Sequence, residues 1–456
     1  MKKAKSYQNG NLLRETFAGV RILLVLPAFL LTSCLKPYTA MDHSQQPEVR
    51  VGLILDAAQA QFEVAEAFSV RGPNGKIQTH IPAGGTWIVQ PSGISEQPLE
   101  LRTRDGAQRF TLPEGAEINA HEIKLALGKE QRSYHDRLRF HLAPSGKVTV
   151  VNILPVEYYL AGVLPAEMNA QFPLEALKAQ AIAARSEVMM KLKPNRDDAI
   201  FDICGDATCQ AYAGKGQRSA LTDRAVNETF GIVLANQNRE VVNAPYASVC
   251  GGHTENNENI WSGNARPHLR GIFDSVSSHN AIEDLTVEEN VRAWLAGNPA
   301  ANCNLEGIAA PAGMAYSKKY FRWQMTFTAA ELHDNIRKQT GEDFGDLLDL
   351  QAIRRGVSGR ITKLRVVGTK KSFEINRELA IRQALSPQTL WSSLFVVDKT
   401  ASSVNGSAAQ FIIRGAGAGH GVGMCQIGAA MMALRGSKHE AILKHYYSGI
   451  RLRRAY

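Results

Sequence analysis

A glycine-rich segment near the C-terminus constrains the fold more than any other part of the sequence. Six glycines fall within the fourteen residues Gly415–Gly428, and five of them occupy alternate positions around His420. A glycine inside a helix or strand costs roughly 0.5–1 kcal/mol relative to alanine, so such a run indicates that another group approaches the backbone closely. Neither G-x-G-x-x-G nor the P-loop pattern is present, which excludes the common phosphate-binding loops. We therefore expect a wall packed against a ligand or another element.

Composition places the chain among globular proteins. It has 456 residues, 44% of them hydrophobic and 21% charged, enough for a sizeable core and two or three structural units. The net charge of +9 favours anionic partners. No run of lysine and arginine with interleaved aromatic residues is found, so we expect no nucleic-acid partner.

The N-terminal residues predict export and a lipid anchor. Basic residues precede the apolar stretch Ile22–Leu31, which is too short to cross a membrane as a helix but suits a secretory signal. Leu31–Cys34 resembles a bacterial lipobox, with Cys34 as the lipidated residue and 1–34 as the signal peptide. An ordinary cleaved signal is the alternative. Leu35 follows the cysteine where an aspartate would mark inner-membrane retention, so we expect an outer-membrane lipoprotein facing the periplasm.

The pattern of apolar and turn residues divides the rest of the chain. Residues 35–48 are predicted to form a tether, and 49–150 a β-rich region, because short apolar runs alternate there with turn residues. Apolar and small residues at helical spacing predict a helix over Pro173–Leu192. We expect an insertion at about 275–350, with a strand at Gly359–Val367 behind it.

Two further helices are predicted close to the C-terminus. The first is Gln426–Leu434, ended by Gly436. Ser437–Glu440 has the pattern of a capping box, which predicts a last helix that begins there and runs through Tyr446.

Five cysteines follow Cys34, and export makes them candidates for disulfides or metal sites. They are Cys204, Cys209, Cys250, Cys303 and Cys425. The odd number leaves at least one thiol free unless some bind metal. The spacing of Cys204 and Cys209 suits either a small disulfide loop or a zinc site.

Three separated stretches together carry a family resemblance. They are Asn152–Met168 continued by Ala176–Arg185, then Asp202–Gly214 with Tyr246–Glu255, and finally Gly419–Ala429 with His445–Gly449. In this order they resemble the stage II sporulation protein D (SpoIID/LytB) family of peptidoglycan-acting proteins. The resemblance implies an α+β fold in which helices and a twisted sheet line a groove, with 151–456 as the catalytic domain beside the β-rich N-terminal region.

The same resemblance implies a lytic transglycosylase with Glu167 as its catalytic residue. Such an enzyme cleaves the MurNAc–GlcNAc bond of peptide-stripped glycan and leaves anhydro-muramyl ends. Because the sugar's own C6 hydroxyl attacks, one carboxyl group can act first as acid and then as base. We expect Glu167 in a short turn before a helix, where Ala166 and Met168 desolvate it and raise its pKa. A solvated glutamate before a helix is the alternative.

Seven further residues match the family's motifs as substrate-binding candidates. Lys178, Gln180 and Arg185 share a region of one helix, and we expect the two cations to bind the lactyl carboxylate that amidases expose on stripped glycan. A solvated cationic face is the alternative. Four other residues are expected to line the groove, with the first stacking on a sugar ring: Tyr246, His253, His420 and Gln426. The glycine run would let the glycan, or the helix bearing Arg185, come near.

No cofactor is required by this chemistry. Zinc is known in some members of the family, so Cys204, Cys209 and His253 are possible zinc ligands, while a Cys204–Cys209 or Cys250–Cys303 disulfide is the alternative. The expected partners are peptidoglycan strands, the membrane through the lipid at Cys34, and a cell-wall amidase. The amidase is the partner expected under the alternative function, in which the chain is a non-catalytic wall-binding protein or amidase enhancer.

Overall fold

The computed structural model describes residues 46–192, 199–206, 209–275, 283–309, 311–400 and 410–456. These residues belong to one compact unit, His43–Tyr456. The predicted signal peptide, with Cys34 and nearly all of the tether, lies outside them and stays a prediction. Within the described ranges, no helix is both long enough and apolar enough to cross a lipid bilayer.

The described residues form strands and helices in mixed order along the chain, which confirms the predicted α+β class. The strands are β1 (Glu48–Ala57), β2 (Ala60–Glu63), β3 (Phe68–Arg71), β4 (Ile77–Ile81), β5 (Thr86–Pro91), β6 (Leu99–Thr103), β7 (Arg109–Leu112), β8 (Glu117–Asn119), β9 (Ile123–Leu127), β10 (Glu130–Tyr134), β11 (Arg137–Leu142), β12 (Val148–Pro155), β13 (Ile203–Cys204), β14 (Ile232–Ala235), β15 (Tyr246–Ala247), β16 (Trp323–Thr328), β17 (Leu347–Arg355), β18 (Ile361–Gly368), β19 (Ser372–Asn376), β20 (Phe395–Thr400), β21 (Gln410–Gly415), β22 (Met424–Cys425) and β23 (Arg451–Arg454). The helices are α1 (Val156–Glu167), α2 (Leu174–Lys191), α3 (Ala220–Glu228), α4 (Asn257–Ile260), α5 (Glu288–Ala296), α6 (Lys318–Phe321), α7 (Ala329–Thr340), α8 (Glu378–Leu385), α9 (Gln426–Leu434) and α10 (His439–Tyr446), with a 3₁₀ helix at Ala312–Ser317.

The N-terminal region is β-rich, as predicted. One sheet has the strand order β13-β1-β12-β11-β8-β3-β4, and the other β10-β9-β2-β5-β6-β7. Alternating residues of both sheets are buried, and Phe62 stacks on Phe140 across the core with ring centroids 5.8 Å apart. The boundary predicted between residues 150 and 151 falls inside β12, so this sheet leads directly into α1.

Helix α2 is the centre of the helical part. Its bounds agree with the predicted helix to within one residue at each end, and α1, α3, α9, α10 and β14 all pack against it. Alanines make this crowding possible, since their short side chains let neighbouring backbones approach closely; Ala176, Ala179, Ala183 and Ala184 are all fully buried. The predicted bounds of α9 are confirmed.

The boundary predicted at residue 350 falls inside a compact part of the structure, within β17. A single hydrophobic cluster joins the sheet β16-β21-β20, the sheet β17-β18-β19 and helices α7 and α8, and it runs from Trp323 to Ile413. Strand β16 pairs with β21 over its whole length, so residues on both sides of the predicted boundary share one sheet. We call this part, residues 323–400 and 410–415, the second core.

The glycine run packs closely against other parts of the protein, as its composition predicts. Gly421 has φ +77°, and a Cβ added there would lie 2.2 Å from the guanidinium carbon of Arg360. At Gly423, with φ +73°, a Cβ would lie 2.0 Å from the carbonyl oxygen of Pro245. The groups that approach Gly421 and Gly423 are therefore Arg360 and the segment before β15, rather than the expected helix bearing Arg185.

Candidate functional site

A cleft of about 750 Å³ brings the glycine run, the end of α1 and the second core together. Its walls come from seven stretches of chain, which meet only in the folded protein. Its lining includes Glu167, Glu187, Lys191, Cys209, Gln210, Tyr246, Trp261, Arg377, Arg382, Gly419 and His420. Of the predicted catalytic and substrate-binding residues, Glu167, Tyr246 and His420 line this cleft, and so does Cys209, a predicted zinc ligand.

Glu167 is the last residue of α1, which also contains Pro165, so the expected turn before a helix is wrong. Its side chain is half-buried. The carboxylate accepts a hydrogen bond of 2.7 Å from the amide of Ala211, and the nearby side chains of Tyr246 and Gln426 also favour its ionised form. Burial raises the pKa of Glu167, and these hydrogen bonds oppose the rise only in part, so the predicted direction of the shift is obtained.

The donors around Glu167 are fixed by a chain of hydrogen bonds. The amide group of Gln210 accepts from the hydroxyl of Tyr159 and donates to the hydroxyl of Tyr246, both at 3.1 Å. Burial raises the pKa of both phenols well above the ordinary value, so both keep their protons. The hydroxyl of Tyr246 is thereby directed to Glu167, a different role from the predicted sugar stacking.

Trp261 is the aromatic residue that the cleft offers to solvent. It is 41% exposed and packs against His420 with ring centroids 4.8 Å apart. No periodic pattern or motif in the sequence marks Trp261, because it lies six residues beyond the motif that ends at Glu255.

Cys204 and Cys209 form a disulfide, so the predicted zinc site that includes them does not fit the structure. A disulfide offers no thiolate to a metal. His253, the third predicted ligand, is not among the residues that line the cleft, and its Nδ1 lies 2.7 Å from the carbonyl oxygen of Thr254. The disulfide instead anchors the chain just before Gln210 and Ala211, the two residues that organise Glu167.

His420 is a neutral residue of the cleft wall. The amide of Val422 donates to its Nδ1 at 3.0 Å, which places the ring proton on Nε2. Burial, followed by the charges of Arg360 and Arg382, lowers the pKa of His420 to about 3. It therefore cannot supply a positive charge to a ligand at neutral pH.

Gln180 and Gln426 act on Glu167 rather than on a ligand. Gln426 Nε2 lies 3.3 Å from both the carbonyl oxygen of Glu167 and the side-chain oxygen of Gln180. Both glutamines are buried, and neither is among the cleft-lining residues. Their predicted role in substrate binding is replaced by one in holding the end of α1.

The prediction that Arg185 binds substrate is wrong. Its side chain is fully buried and forms a two-pronged ion pair with Glu157, at 2.8 and 2.7 Å. Two more groups donate to Glu157, the amide of Gly231 and the hydroxyl of Tyr456. The pair joins α1 to α2 inside the core, where no glycan can reach it.

Lys178 is also committed to the protein itself. Its ammonium group lies 3.0 Å from Glu175 and 2.5 Å from Glu228, which ties α2 to the end of α3. It does not line the cleft. The helix face that the sequence marked as cationic therefore faces other helices, and the prediction of an anion-binding role for Lys178 is not supported by its position.

The second core supplies cations to the cleft that sequence reasoning missed. Arg377 is exposed, precedes α8 and has φ 74° and ψ 140°, a conformation rare for any residue but glycine and costing about 1–3 kcal/mol. Among the described residues none pairs with its guanidinium group. Arg382 is held by Glu378 and the carbonyl of Leu390, and Lys191 comes from the end of α2.

A second carboxyl group also lines the cleft. Glu187 accepts a short hydrogen bond from the amide of Ala244, and burial raises its pKa. Two carboxyl groups with raised pKa values, bordered by arginines, make the cleft suited to proton transfer on an anionic ligand.

Sequence comparisons relate two parts of the chain to known families. Residues 144–235 match the profile of a family described as stage II sporulation protein, and residues 255–423 match a domain of unknown function (DUF8618). An uncharacterised protein of Brachyspira hyodysenteriae is 29% identical over 79% of this chain and 78% of its own length. Stage II sporulation protein D of Bacillus amyloliquefaciens is 26% identical over 75% and 88%, respectively. The amidase enhancer of Bacillus subtilis is 27% identical over 64% of this chain. The matched region covers only 40% of that relative's length.

Proposed function

The chain carries a domain of the stage II sporulation protein D family, and from this premise we propose that it is a peptidoglycan lytic transglycosylase. The family supports a function connected with the cell wall. The finer proposal is that this protein cleaves the MurNAc–GlcNAc bond of peptide-stripped glycan strands and leaves anhydro-muramyl ends.

The placement of Glu167 carries this proposal. The carboxyl group opens onto the cleft, its pKa is raised by burial, and the groups around it are uncharged: the Ala211 amide, which donates to it, and the side chains of Tyr246 and Gln426. A carboxyl group with a raised pKa keeps its proton closer to neutral pH, which is what a general acid needs. The neutral donors can stabilise the anion that forms when the proton leaves.

The reaction needs one proton to leave Glu167 and one to return. Glu167 protonates the glycosidic oxygen while the bond from that oxygen to C1 of the muramic acid breaks. The C6 hydroxyl of the same sugar then forms a bond to C1, and its proton passes to the Glu167 carboxylate. The products are a free 4-hydroxyl on one fragment and a 1,6-anhydro ring on the other, with no water consumed.

Selection of stripped glycan is assigned to the second core. Removal of the peptides leaves a lactyl carboxylate on each muramic acid, and Arg377 presents an exposed guanidinium group to the cleft. Arginine binds carboxylates through two parallel hydrogen bonds, which gives geometric selectivity as well as attraction. This residue takes the role that the sequence suggested for Arg185.

Binding without cleavage is the competing function. One relative is named amidase enhancer, so a partner amidase is a specific alternative. In that case the cleft would hold glycan near an amidase, and Glu167 would have no chemical role.

The test is mass spectrometry of amidase-treated glycan strands after incubation with the full chain and with Glu167→Gln. We expect anhydro-muramyl ends from the wild type only. Glu187→Gln is the matched control, since it changes the other carboxyl group of the same cleft and should still give anhydro ends.

Two other outcomes would select other functions. Reducing ends from the wild type, lost in both variants, would mean hydrolysis by a pair of carboxyl groups. No cleavage by the wild type, together with stimulation of an amidase by both the wild type and Glu167→Gln, would establish the binding function.

We further propose that the protein is a lipoprotein of the outer membrane, anchored through Cys34 and facing the periplasm. The apolar stretch before Cys34 and the leucine after it support this placement. Metabolic labelling with a fatty-acid analogue, followed by membrane fractionation, tests it. The label should be incorporated by the wild type and not by Cys34→Ser; label in both would assign the anchor to another residue.

A further inference from the structure

Three free cysteines and one aspartate meet in the interior, away from Glu167. The cluster consists of the thiols of Cys250, Cys303 and Cys425 and the carboxylate of Asp274, and all four residues are buried. One side-chain donor atom from each residue lies within 4.8 Å of the other three. The sulfur of Cys250 is 3.4 Å from that of Cys303 and 3.3 Å from Asp274 Oδ2. Cys250 and Cys425 lie in two of the stretches that carry the family resemblance, but none of the four residues lines the cleft.

The distances suit a small tetrahedral cation. Bonds of about 2.3 Å from zinc to sulfur give sulfur–sulfur distances of about 3.8 Å in a tetrahedron. The four donor atoms of the cluster lie within 4.8 Å of one another, so such a tetrahedron fits between them. The four residues come from separate places in the chain, so their convergence does not follow from a local turn.

Backbone amides point at the sulfurs, as they do where a thiolate must be stabilised. Gly428, in the first turn of α9, donates to Cys425 at 3.4 Å, and the amide of Cys250 donates to the same sulfur at 3.2 Å. Gly252 donates to the sulfur of Cys250 at 3.4 Å. These donors favour the deprotonated sulfur that binds metal.

Asp274 is oriented by its neighbours so that one oxygen remains for the cluster. Its Oδ1 lies near three donors: Asn302 Nδ2 at 2.7 Å, the Tyr446 hydroxyl at 2.9 Å and His445 Nε2 at 3.1 Å. The other oxygen, Oδ2, faces the sulfur of Cys250. Metal-binding carboxylates are commonly fixed in this manner by hydrogen bonds from outside the coordination sphere.

Cations surround the cluster without entering it. Arg322 donates to the carbonyl of Gly251 and Arg360 to that of Cys250, both at 3.0 Å. A buried group of anions is costly unless it is neutralised. Two guanidinium groups nearby offset part of the negative charge that three thiolates and a carboxylate would bring, and a divalent cation at the centre would offset more.

We propose that Cys250, Asp274, Cys303 and Cys425 form a zinc site. Soft thiolates in tetrahedral arrangement select zinc among the divalent ions that bind carboxylates. Four protein ligands leave no open position, so the ion is structural. It joins the segment after β15 to the segment before α6 and to the start of α9, whose first residue, Gln426, supports Glu167.

Metal analysis of the full-length chain, purified without chelators, tests this site. We expect one zinc ion per chain, and weaker zinc retention by at least about tenfold in Cys303→Ser, since even outer contacts of metal ligands are worth that much. The double variant Cys204→Ser/Cys209→Ser is the matched control, because it removes the other two cysteines of the domain and should leave the zinc content unchanged.

Cobalt substitution supplies a readout that does not depend on activity or on one variant. Cobalt in the wild type should give thiolate-to-metal charge-transfer absorption and visible tetrahedral bands. Asp274→Asn, which preserves the size of the side chain, should keep the charge-transfer band but alter the visible bands.

Three results would overturn the proposal. The first is a Cys250–Cys303 disulfide found by peptide mapping after free thiols are blocked. The second is a metal-free chain in which all three thiols react with alkylating reagent without prior chelation. The third is zinc whose loss follows Cys204 and Cys209 rather than Cys303.

Discussion

The two ends of helix α1 carry glutamates with opposite surroundings. At its start, Glu157 is fully buried, meets Arg185 in a two-pronged ion pair and accepts from two further donors. At its end, Glu167 opens onto the cleft and is held by uncharged groups. A carboxylate paired with a guanidinium group inside a core serves to join two helices, whereas a carboxyl group at a cleft, with neutral groups around it, is open to a ligand. The partner, rather than the residue type, decides which glutamate is available for chemistry.

The largest effect should be the loss of turnover when Glu167, at the end of α1, is replaced. Glu167→Gln removes the acid and base together, and we expect kcat on stripped glycan to fall roughly 10²–10⁴-fold. The variant should fold as well as the wild type because glutamine keeps the hydrogen-bond acceptor for Ala211. Turnover measured with purified strands, alongside circular dichroism, checks both points. Undiminished turnover would remove Glu167 from the mechanism.

Breaking the ion pair between Arg185 and Glu157 should lower the free energy of unfolding. Arg185→Met leaves Glu157 buried without its partner, which costs about 3–5 kcal/mol in comparable buried pairs. Urea unfolding of the variant should show this loss. Lys178→Met, on the same helix but with a partly exposed pair, should lose about 1 kcal/mol or less. Equal losses in the two variants would contradict the distinction drawn between a core pair and a surface pair.

Substrate selection gives the next largest effect. Arg377→Ala removes a charge-assisted contact worth about 1.5–3 kcal/mol, so kcat/KM on stripped glycan should fall roughly 10–100-fold. Peptide-bearing strands, whose lactyl carboxylate is amidated, should show no such change. Lys178→Ala serves as a cation-removing control and should leave both substrates unaffected. A loss of the same size on both substrates would mean that Arg377 does not recognise the carboxylate.

The smallest effect should be a gain in the free energy of unfolding when Glu167, at the end of α1, is replaced by glutamine. Because the folded-state pKa of Glu167 is raised, the unfolded chain releases this proton first as pH rises past its ordinary value of about 4.3. Wild-type stability therefore falls relative to Glu167→Gln above that pH, until the folded carboxyl group ionises as well. Urea unfolding of both proteins at about pH 4 and at neutral pH should show a gain at neutral pH that is absent in acid. A variant less stable than wild type at both pH values would argue against a penalty for ionising Glu167.

Local patterns in the sequence predicted the elements that local interactions specify. The spacing of small and apolar residues gave α2 and α9 nearly to the residue, and the motifs brought Glu167, Tyr246 and His420 to one cleft. The start of α10 shows the limit of such patterns. Ser437–Glu440 predicts a capping box, but the helix begins at His439, whose amide is capped by Glu175 from α2. A four-residue pattern cannot predict a capping residue that lies 264 positions away in the sequence.

Residues whose role depends on distant partners were missed for the same reason. The sequence pattern predicts Arg185 as a cation on a helix face, and only the fold shows that it pairs with Glu157 in the core. Arg377 follows a strand of the second core and carries no motif, and only its backbone conformation and its position at the cleft single it out. Trp261 likewise becomes part of the site only through the fold.

The contact between Glu157 and Tyr456 has a consequence for how the protein is made. The two residues are 299 positions apart, and β23, close to Tyr456, pairs with β14 beside the same ion pair. Contacts this far apart in sequence close late, because a long loop must be ordered first. During synthesis, the core around α2 cannot be completed until the stretch near residue 456 has left the ribosome. Truncation or a bulky fusion at that end is therefore a perturbation of the core, although it adds nothing near the cleft.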